Sequence, residues 1–247
     1  MILLNKKDAI HWAWLLRTLS ALCDDKFLAS VLYFKGGTSA TLRGFLDRFS
    51  FDLDFDFVGD QKDLPKIRKK MENIFAKLGL EIKDSSKIIP QYFLKYPNKK
   101  DERNTLKVEV ATWQVKANKY EPVRLVEIDR IITCQSIETM FANKLVAVLD
   151  RYEKHHSIAG RDIYDLHHFF INGYEIENGV IEERRSQLNA TGSSKKLFFK
   201  QLSDFIEKKI TQTIIEQDLN VLLSPEKFKQ IRGILKLEIL RFLKEKR

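Results

Sequence analysis

The reading of the chain turns on F-K-G-G-T-S-A-T-L-R-G-F-L-D-R-F-S-F-D-L-D-F-D-F, residues 34–57. From Phe51 the pattern alternates without a break. Phe51, Leu53, Phe55 and Phe57 fall on one side, and Asp52, Asp54 and Asp56 on the other. A strand directs alternate side chains to opposite faces, so three carboxylates should share one face while large apolar groups cover the other. Like charges that close repel. Either a cation compensates them or one of the acids turns to water. Just upstream, 31–35 is a short β-prone run halted by Gly36-Gly37. Residues 38–49 then read as a helix, with Thr38 as its cap, Leu42, Phe45, Leu46 and Phe49 as its apolar stripe, and Gly44 as a slight weakness.

Outward from this stretch, 7–23 has the three- and four-residue spacing of an amphipathic helix capped by Asp8. A further helix is predicted over 64–78, closed by Gly79, and strands over 81–83, 91–96 and 106–113, with the polar hairpin loop P-N-K-K-D-E-R-N at 97–104. The remainder has helical period: 136–153, 161–170 and about 180 to the end, interrupted by a loop at A-T-G-S-S (190–194), with Pro225 at a helix start. The expected fold is α+β: an N-terminal mixed sheet with helices over 1–130, then a mainly helical half over 131–247.

The chain has 247 residues, 44% hydrophobic and 11% aromatic, which argues against disorder and for a sizeable core. A formal net charge of +9 suits an anionic partner such as nucleic acid, although many basic proteins bind none. No run reaches the roughly 20 apolar residues of a membrane span, and the start M-I-L-L-N-K-K-D lacks a secretion signal, so a cytoplasmic protein is expected. Cys23 and Cys134 read as buried small hydrophobes, and no C-x-x-C offers a zinc site. His11, His155-His156 and His167-His168 do not read as metal ligands, since neighbours in sequence point apart.

The chemistry concentrates in the opening stretch. A strand, two glycines and a helix start bring backbone N–H groups and a positive helix end together, an arrangement suited to phosphate. Glycine lets the ligand approach because no Cβ intervenes. The alternative is a plain turn. Asp52 and Asp54 lie about 7 Å apart along one strand face and can converge on a hard cation; Mg²⁺ takes one or two carboxylates plus nucleotide phosphates and water. The alternative is a solvated outer face. In L-K-V-E-V-A-T-W, Glu109 shares a face with Lys107 and Ala111, either as a third acid or as an exposed partner of Lys107. Lys144 is either surface decoration or a phosphate partner. Arg151 and Asp165 read better as salt bridges between helices, and Asp56 is an extra acid.

These motifs, in this order, resemble the abortive-infection (AbiEii-type) nucleotidyltransferase toxins of the polymerase-β-like superfamily. The likeness is carried by residues 34–57, L-K-V-E-V, F-A-N-K-L-V-A-V-L-D-R and G-R-D-I-Y-D-L, and spans about 8–170. It implies that Gly36, Gly37, Thr38 and Ser39 hold the triphosphate, and that Asp52, Asp54 and Glu109 bind Mg²⁺, or Mn²⁺ in its place. Lys144 would reach the phosphates, with Asp162 and Arg161 in the same cleft. Arg48 and Ser50 would position the nucleotide or shape the loop. The implied activity is nucleotide transfer from an NTP to RNA, foremost the tRNA 3′ end, with release of pyrophosphate, in a toxin–antitoxin or phage-defence setting with a separately encoded antitoxin. The rival readings are transfer to a small molecule or protein, and a nucleotide-binding module without turnover.

Overall fold

The structure, a computed structural model, describes residues 6–99, 102–187 and 195–246. The predicted loop at 190–194, the middle of the 97–104 hairpin loop and the first five residues lie outside them. The chain divides into two compact units: residues 1–114 with 120–135, and residues 115–119 with 136–247.

The first unit is built on a seven-stranded mixed sheet. Its strands are β1 (Leu32–Lys35), β2 (Asp52–Phe57), β3 (Glu81–Ser85), β4 (Gln91–Lys95), β5 (Thr105–Ala111), β6 (Tyr120–Leu125) and β7 (Arg130–Gln135), in the order β3-β4-β5-β2-β1-β7-β6. β2 runs parallel to β5 and β1 parallel to β7; the other neighbours are antiparallel. Four helices contribute to its core: α1 (Lys6–Asp24), α2 (Lys26–Val31), α3 (Gly36–Leu42) through Leu42, and α4 (Leu64–Lys77). Leu15, Leu19, Leu28, Ile67, Met71 and Phe75 from these helices are fully buried with Leu53, Phe55 and Phe57 of β2 and Val108 and Val110 of β5. Over β2 the alternation therefore sorts as expected, with Leu53, Phe55 and Phe57 in the core and the three aspartates on the opposite face, where Asp56 is nonetheless buried.

Three local differences from the sequence reading have physical causes. The helix expected over 38–49 is α3 (Gly36–Leu42), shorter and begun two residues earlier. Gly44 does not merely weaken it; it ends it, at φ +76. The Gly44 N–H donates to the Thr41 carbonyl and the Phe45 N–H to the Ala40 carbonyl, the paired bonds of a Schellman motif. Asp8 lies within the first turn of α1 rather than before it. β6 and β7 extend the sheet beyond the point where the sequence pattern stops reading as strand; Pro122 sits on β6, an edge strand where a missing N–H is tolerated.

The second unit is helical: α5 (Ile137–His155), α6 (Gly160–Ile171), α7 (Asn178–Gln187), α8 (Lys195–Lys209), α9 (Gln212–Leu219), α10 (Pro225–Ile231) and α11 (Leu235–Glu245). Ser136 caps α5 through the Thr139 N–H, and Ser224 caps α10 with Pro225 in its first turn. Phe141 of α5 meets Phe169 and Phe170 of α6 edge-on, and Phe170 stacks on Phe242 of α11. α6 and α9 approach so closely that a Cβ on Gly160 would stand 2.4 Å from the Ile214 carbonyl oxygen.

A Cβ at Gly44 would meet nothing within 4 Å, so only its positive φ opposes a side chain. Gly44→Ala should thus lower stability by about 1 kcal/mol, and Leu53→Ala, fully buried, by about 2–5 kcal/mol. Urea midpoints of the two variants check this ranking, and equal shifts would contradict it.

Candidate active site

The acid face of the sheet is assembled by register. Lys35 on β1 lies opposite Asp54 on β2, and Tyr33 opposite Asp56. Across the parallel pairing, Asp52 neighbours Lys107 and Asp54 neighbours Glu109. One strand further out, Gln91 lies opposite Glu109. Four acids and two lysines therefore share one surface, because each sits at an outward position of its strand.

The charges are distributed unevenly among them. Lys107 Nζ pairs with Glu109 Oε2 at 2.5 Å, and the Gln91 amide donates to the same oxygen at 2.5 Å. Burial opposes ionisation of Glu109, but Lys107 and Gln91 outweigh it and hold its pKa below the ordinary glutamate value. Lys107 is raised in turn, as Glu109, Asp54 and Asp52 overcome its own desolvation. Lys35 Nζ pairs with Asp56 Oδ1 at 2.6 Å. Asp56 Oδ2 accepts from the Tyr120 hydroxyl at 2.9 Å and the Gln135 amide at 2.5 Å. Asp56, buried, is thus the aspartate absorbed by the fold.

Asp54 is in the opposite situation. Burial first, then the charge of Asp52 and, more weakly, that of Glu109 push its carboxyl up to about 6, against the lowering influence of Lys35 and Lys107. Its Oδ2 lies against the Gly36 backbone: a Cβ there would stand 2.5 Å from it, and Gly36 has φ +79. A Cβ on Gly37 would meet Arg48 Nη2 and Ser50 Oγ, each at 2.9 Å. The two glycines are therefore required on two sides, by Asp54 and by the R-F-S turn. Arg48 is buried and donates through Nη1 to the Phe49 carbonyl at 2.8 Å, while its own carbonyl accepts from the Thr41 hydroxyl. Thr38 and Ser39 are fully buried, and the Thr38 hydroxyl donates to the Asp52 carbonyl at 2.5 Å. These two hydroxyls thus point into the protein, and Thr38 ties the helix start to the strand that carries the acids.

Within the second unit, α5 and α6 form a separate charged cluster. Lys144 Nζ lies 3.1 Å from Asp162 Oδ1 and 2.7 Å from Asp165 Oδ2, and Arg151 Nη2 lies 3.1 Å from Asp162 Oδ2. Both aspartates are buried, while Lys144 and Arg151 keep partial exposure. The Arg161 N–H, in the first turn of α6, donates to Asp218 Oδ2 at 3.3 Å. The salt-bridge role read for Arg151 and Asp165 is thus present, and Lys144 shares it. Of the histidines, His11 is buried between the Tyr96 hydroxyl at 2.8 Å and the Phe51 carbonyl at 2.9 Å, its pKa lowered to about 4 by that burial. Both cysteines are free thiols.

Sequence reasoning missed Lys35, Gln91, Tyr120 and Gln135. The signal for Lys35 was available, since it directly precedes the glycines at the end of a strand. The others come from strand pairings that no local pattern announces.

A family model described as nucleotidyl transferase AbiEii toxin, type IV toxin–antitoxin system, matches residues 17–236. The chain belongs to the AbiEii family. It is accordingly a nucleotidyltransferase toxin, and its type of system includes a separate antitoxin. No curated protein matches it in sequence. Among solved structures, the MenT4 nucleotidyltransferase toxin of Mycobacterium tuberculosis is similar at TM-score 0.57 and 18% identity, over 96% of this chain and 84% of that one. A putative nucleotidyltransferase from H. pylori gives 0.55 and 21%, over 98% of both chains. JHP933 from Helicobacter pylori gives 0.54 and 20%, over 98% and 95%. These likenesses show a shared fold.

Among the described residues, no group of three His, Cys, Asp or Glu side chains could hold a metal ion by itself. The donor set nonetheless fits Mg²⁺. It consists of hard carboxylate oxygens, and Asp54, pushed up by burial first and then by the charges of Asp52 and Glu109, lies where a cation would be favoured. The same push makes a stability prediction for an AbiEii protein with an altered site. A carboxyl raised from 3.8 to about 6 on folding holds its proton more tightly when folded, so it stabilises fully below pH ~4 and loses that contribution as pH rises through ~6. Asp54→Asn should therefore be more stable than wild type at pH 7, by on the order of 2 kcal/mol given the partial exposure of Asp54, with the advantage vanishing towards pH 4. Urea midpoints across that range check the sign.

Proposed function

We propose that this AbiEii toxin transfers a nucleotide from a nucleoside triphosphate to an RNA acceptor, the 3′ end of tRNA, with Mg²⁺ as cofactor and pyrophosphate as leaving group. The observation that carries the reading is the Asp52–Asp54 pair, with Asp54 set against Gly36 at the bend that opens α3. Asp52 and Asp54 would hold the divalent ion, which when bound supplies charge neutralisation at the phosphates and acidifies the attacking hydroxyl. The backbone N–H groups at the Gly36-Gly37 bend would receive the triphosphate, and Arg48, against Gly37, adds positive potential while bracing the bend.

In the transfer, an acceptor hydroxyl oxygen forms a bond to the α-phosphorus, and the bond from that phosphorus to the α–β bridging oxygen breaks. The electron pair leaves with pyrophosphate. Glu109, kept ionised by Lys107 and Gln91, is the carboxylate of this face suited to take the acceptor proton. In line with the family motifs, Lys144 and Arg161 are assigned to the phosphates, and Asp162, with Asp165, supports the Lys144 ammonium through its ion pairs. Positioning and electrostatics account for most of the rate in such transfers.

RNA as acceptor is supported by the surplus of nine positive charges, which also predicts binding that weakens steeply with salt. No helix among the described residues is long and apolar enough to cross a membrane; we assign the protein to the cytoplasm, where its RNA acceptor is found.

The purified protein should incorporate label into tRNA from at least one of the four α-labelled nucleoside triphosphates when Mg²⁺ is present. Chelation with EDTA should abolish incorporation, and Asp54→Ala should reduce it by about 10²-fold or more. Expression of wild type, but not of Asp54→Ala, should arrest growth. Nucleotide binding without label in any RNA would overturn the reading, as would full activity in Asp54→Ala.

A further inference from the structure

We propose that Asp56 is a positioning residue that holds the Lys35 ammonium away from Asp54, leaving the Asp52–Asp54 pair able to take up a divalent cation. This inference rests on the metal-dependent reading of the site and concerns a residue that reading does not use. Lys35 lies directly opposite Asp54 in the antiparallel register, where side chains stand about 5 Å apart at Cβ. A lysine so placed is the natural counter-ion of Asp54, and an ammonium seated there would occupy the position a divalent cation needs. The Lys35 Nζ instead lies 2.6 Å from Asp56 Oδ1, one outward position further along β2.

Asp56 is equipped to win that competition. Its other oxygen is fixed by the Tyr120 hydroxyl at 2.9 Å and the Gln135 amide at 2.5 Å, donors from β6 and β7. Tyr120 is itself held edge-on against Tyr33, ring centroids 4.9 Å apart, and Tyr33 is the residue opposite Asp56. Asp56 is buried, so it holds Lys35 in a fixed geometry rather than as a loose surface pair. Lys107 and Glu109 form the matching arrangement on the other side, again pairing a lysine of this face with an acid other than Asp54.

The test is Mn²⁺ binding to the full chain without nucleotide, read by electron paramagnetic resonance or calorimetry. Asp56→Asn frees Lys35 to fall back on Asp54, and Mn²⁺ affinity should drop by about tenfold or more. Asp56→Asn combined with Lys35→Met removes the competing ammonium, and affinity should return to within about threefold of wild type. If Asp56→Asn fails to fold, Lys35→Met alone decides. Lys35 acts on Asp54 through space even when bonded to Asp56, so its removal should tighten Mn²⁺ binding by less than about tenfold, whereas a larger tightening would mean that the ammonium sits on Asp54 itself and would overturn the proposal. Unchanged affinity in a folded Asp56→Asn, or no recovery in the double variant, would overturn it while leaving the metal site intact. Absence of Mn²⁺ binding by wild type would overturn the metal reading and this inference with it.

Discussion

The burial of Leu53, Phe55 and Phe57 beneath α1, α2 and α4 dictates where the aspartates of the same strand point. Each such side chain contributes about 1.5–3 kcal/mol on burial, and a one-residue slip would turn all three to water and all three acids into the core. The cost of holding Asp54 on this face, from burial first and then from the charge of Asp52, is on the order of 2 kcal/mol, smaller than this apolar gain. The core therefore forces together charges that would otherwise separate, and an electrostatically unfavourable site survives because it is anchored from behind.

What surrounds Asp54 follows from that imposition. Lys35 and Lys107 each sit opposite or beside it, yet each is bonded to a different acid. The fold thus neutralises the periphery of the cluster and leaves Asp54 at its centre raised to about 6, by burial and then by Asp52. In the helical unit the balance is different. Asp162 and Asp165 are buried and matched by Lys144 and Arg151. Pairs of this kind add little net stability but are costly to break, by about 3–5 kcal/mol when one partner is lost. That favours a cluster whose members act together rather than one movable lysine.

The α+β class, the strand carrying the acids, the glycine bend and most helices were legible because each rests on short-range periodicity or on a terminating glycine; the caps were not, since Asp8 and Thr38 lie inside their helices while Ser136 and Ser224 do the capping. Family membership was legible too, since its motifs lie in unbroken runs. β6 and β7 were not. Y-E-P-V-R-L contains a proline, and its partner R-I-I-T-C-Q shows no clean alternation, so only pairing with β1 across a hundred residues reveals them. The extent of α3 was misread because Gly44 was counted as a propensity cost, whereas its positive φ closes a specific hydrogen-bond motif. At the site, local pattern supplied the acids but not their partners. The hydroxyls of Thr38 and Ser39 looked like ligand donors in a linear reading, and the structure turns them inward.

The short segment Val115–Lys119 leaves the sheet unit and returns to it. The backbone amides of Lys116 and Ala117 donate to Glu183, and that of Lys119 to Thr139, all on the helical side of the division. The polypeptide consequently passes between the two units three times rather than once. No single cut yields two self-sufficient fragments, and a recombination event with one crossover point could not graft either unit onto a foreign partner intact.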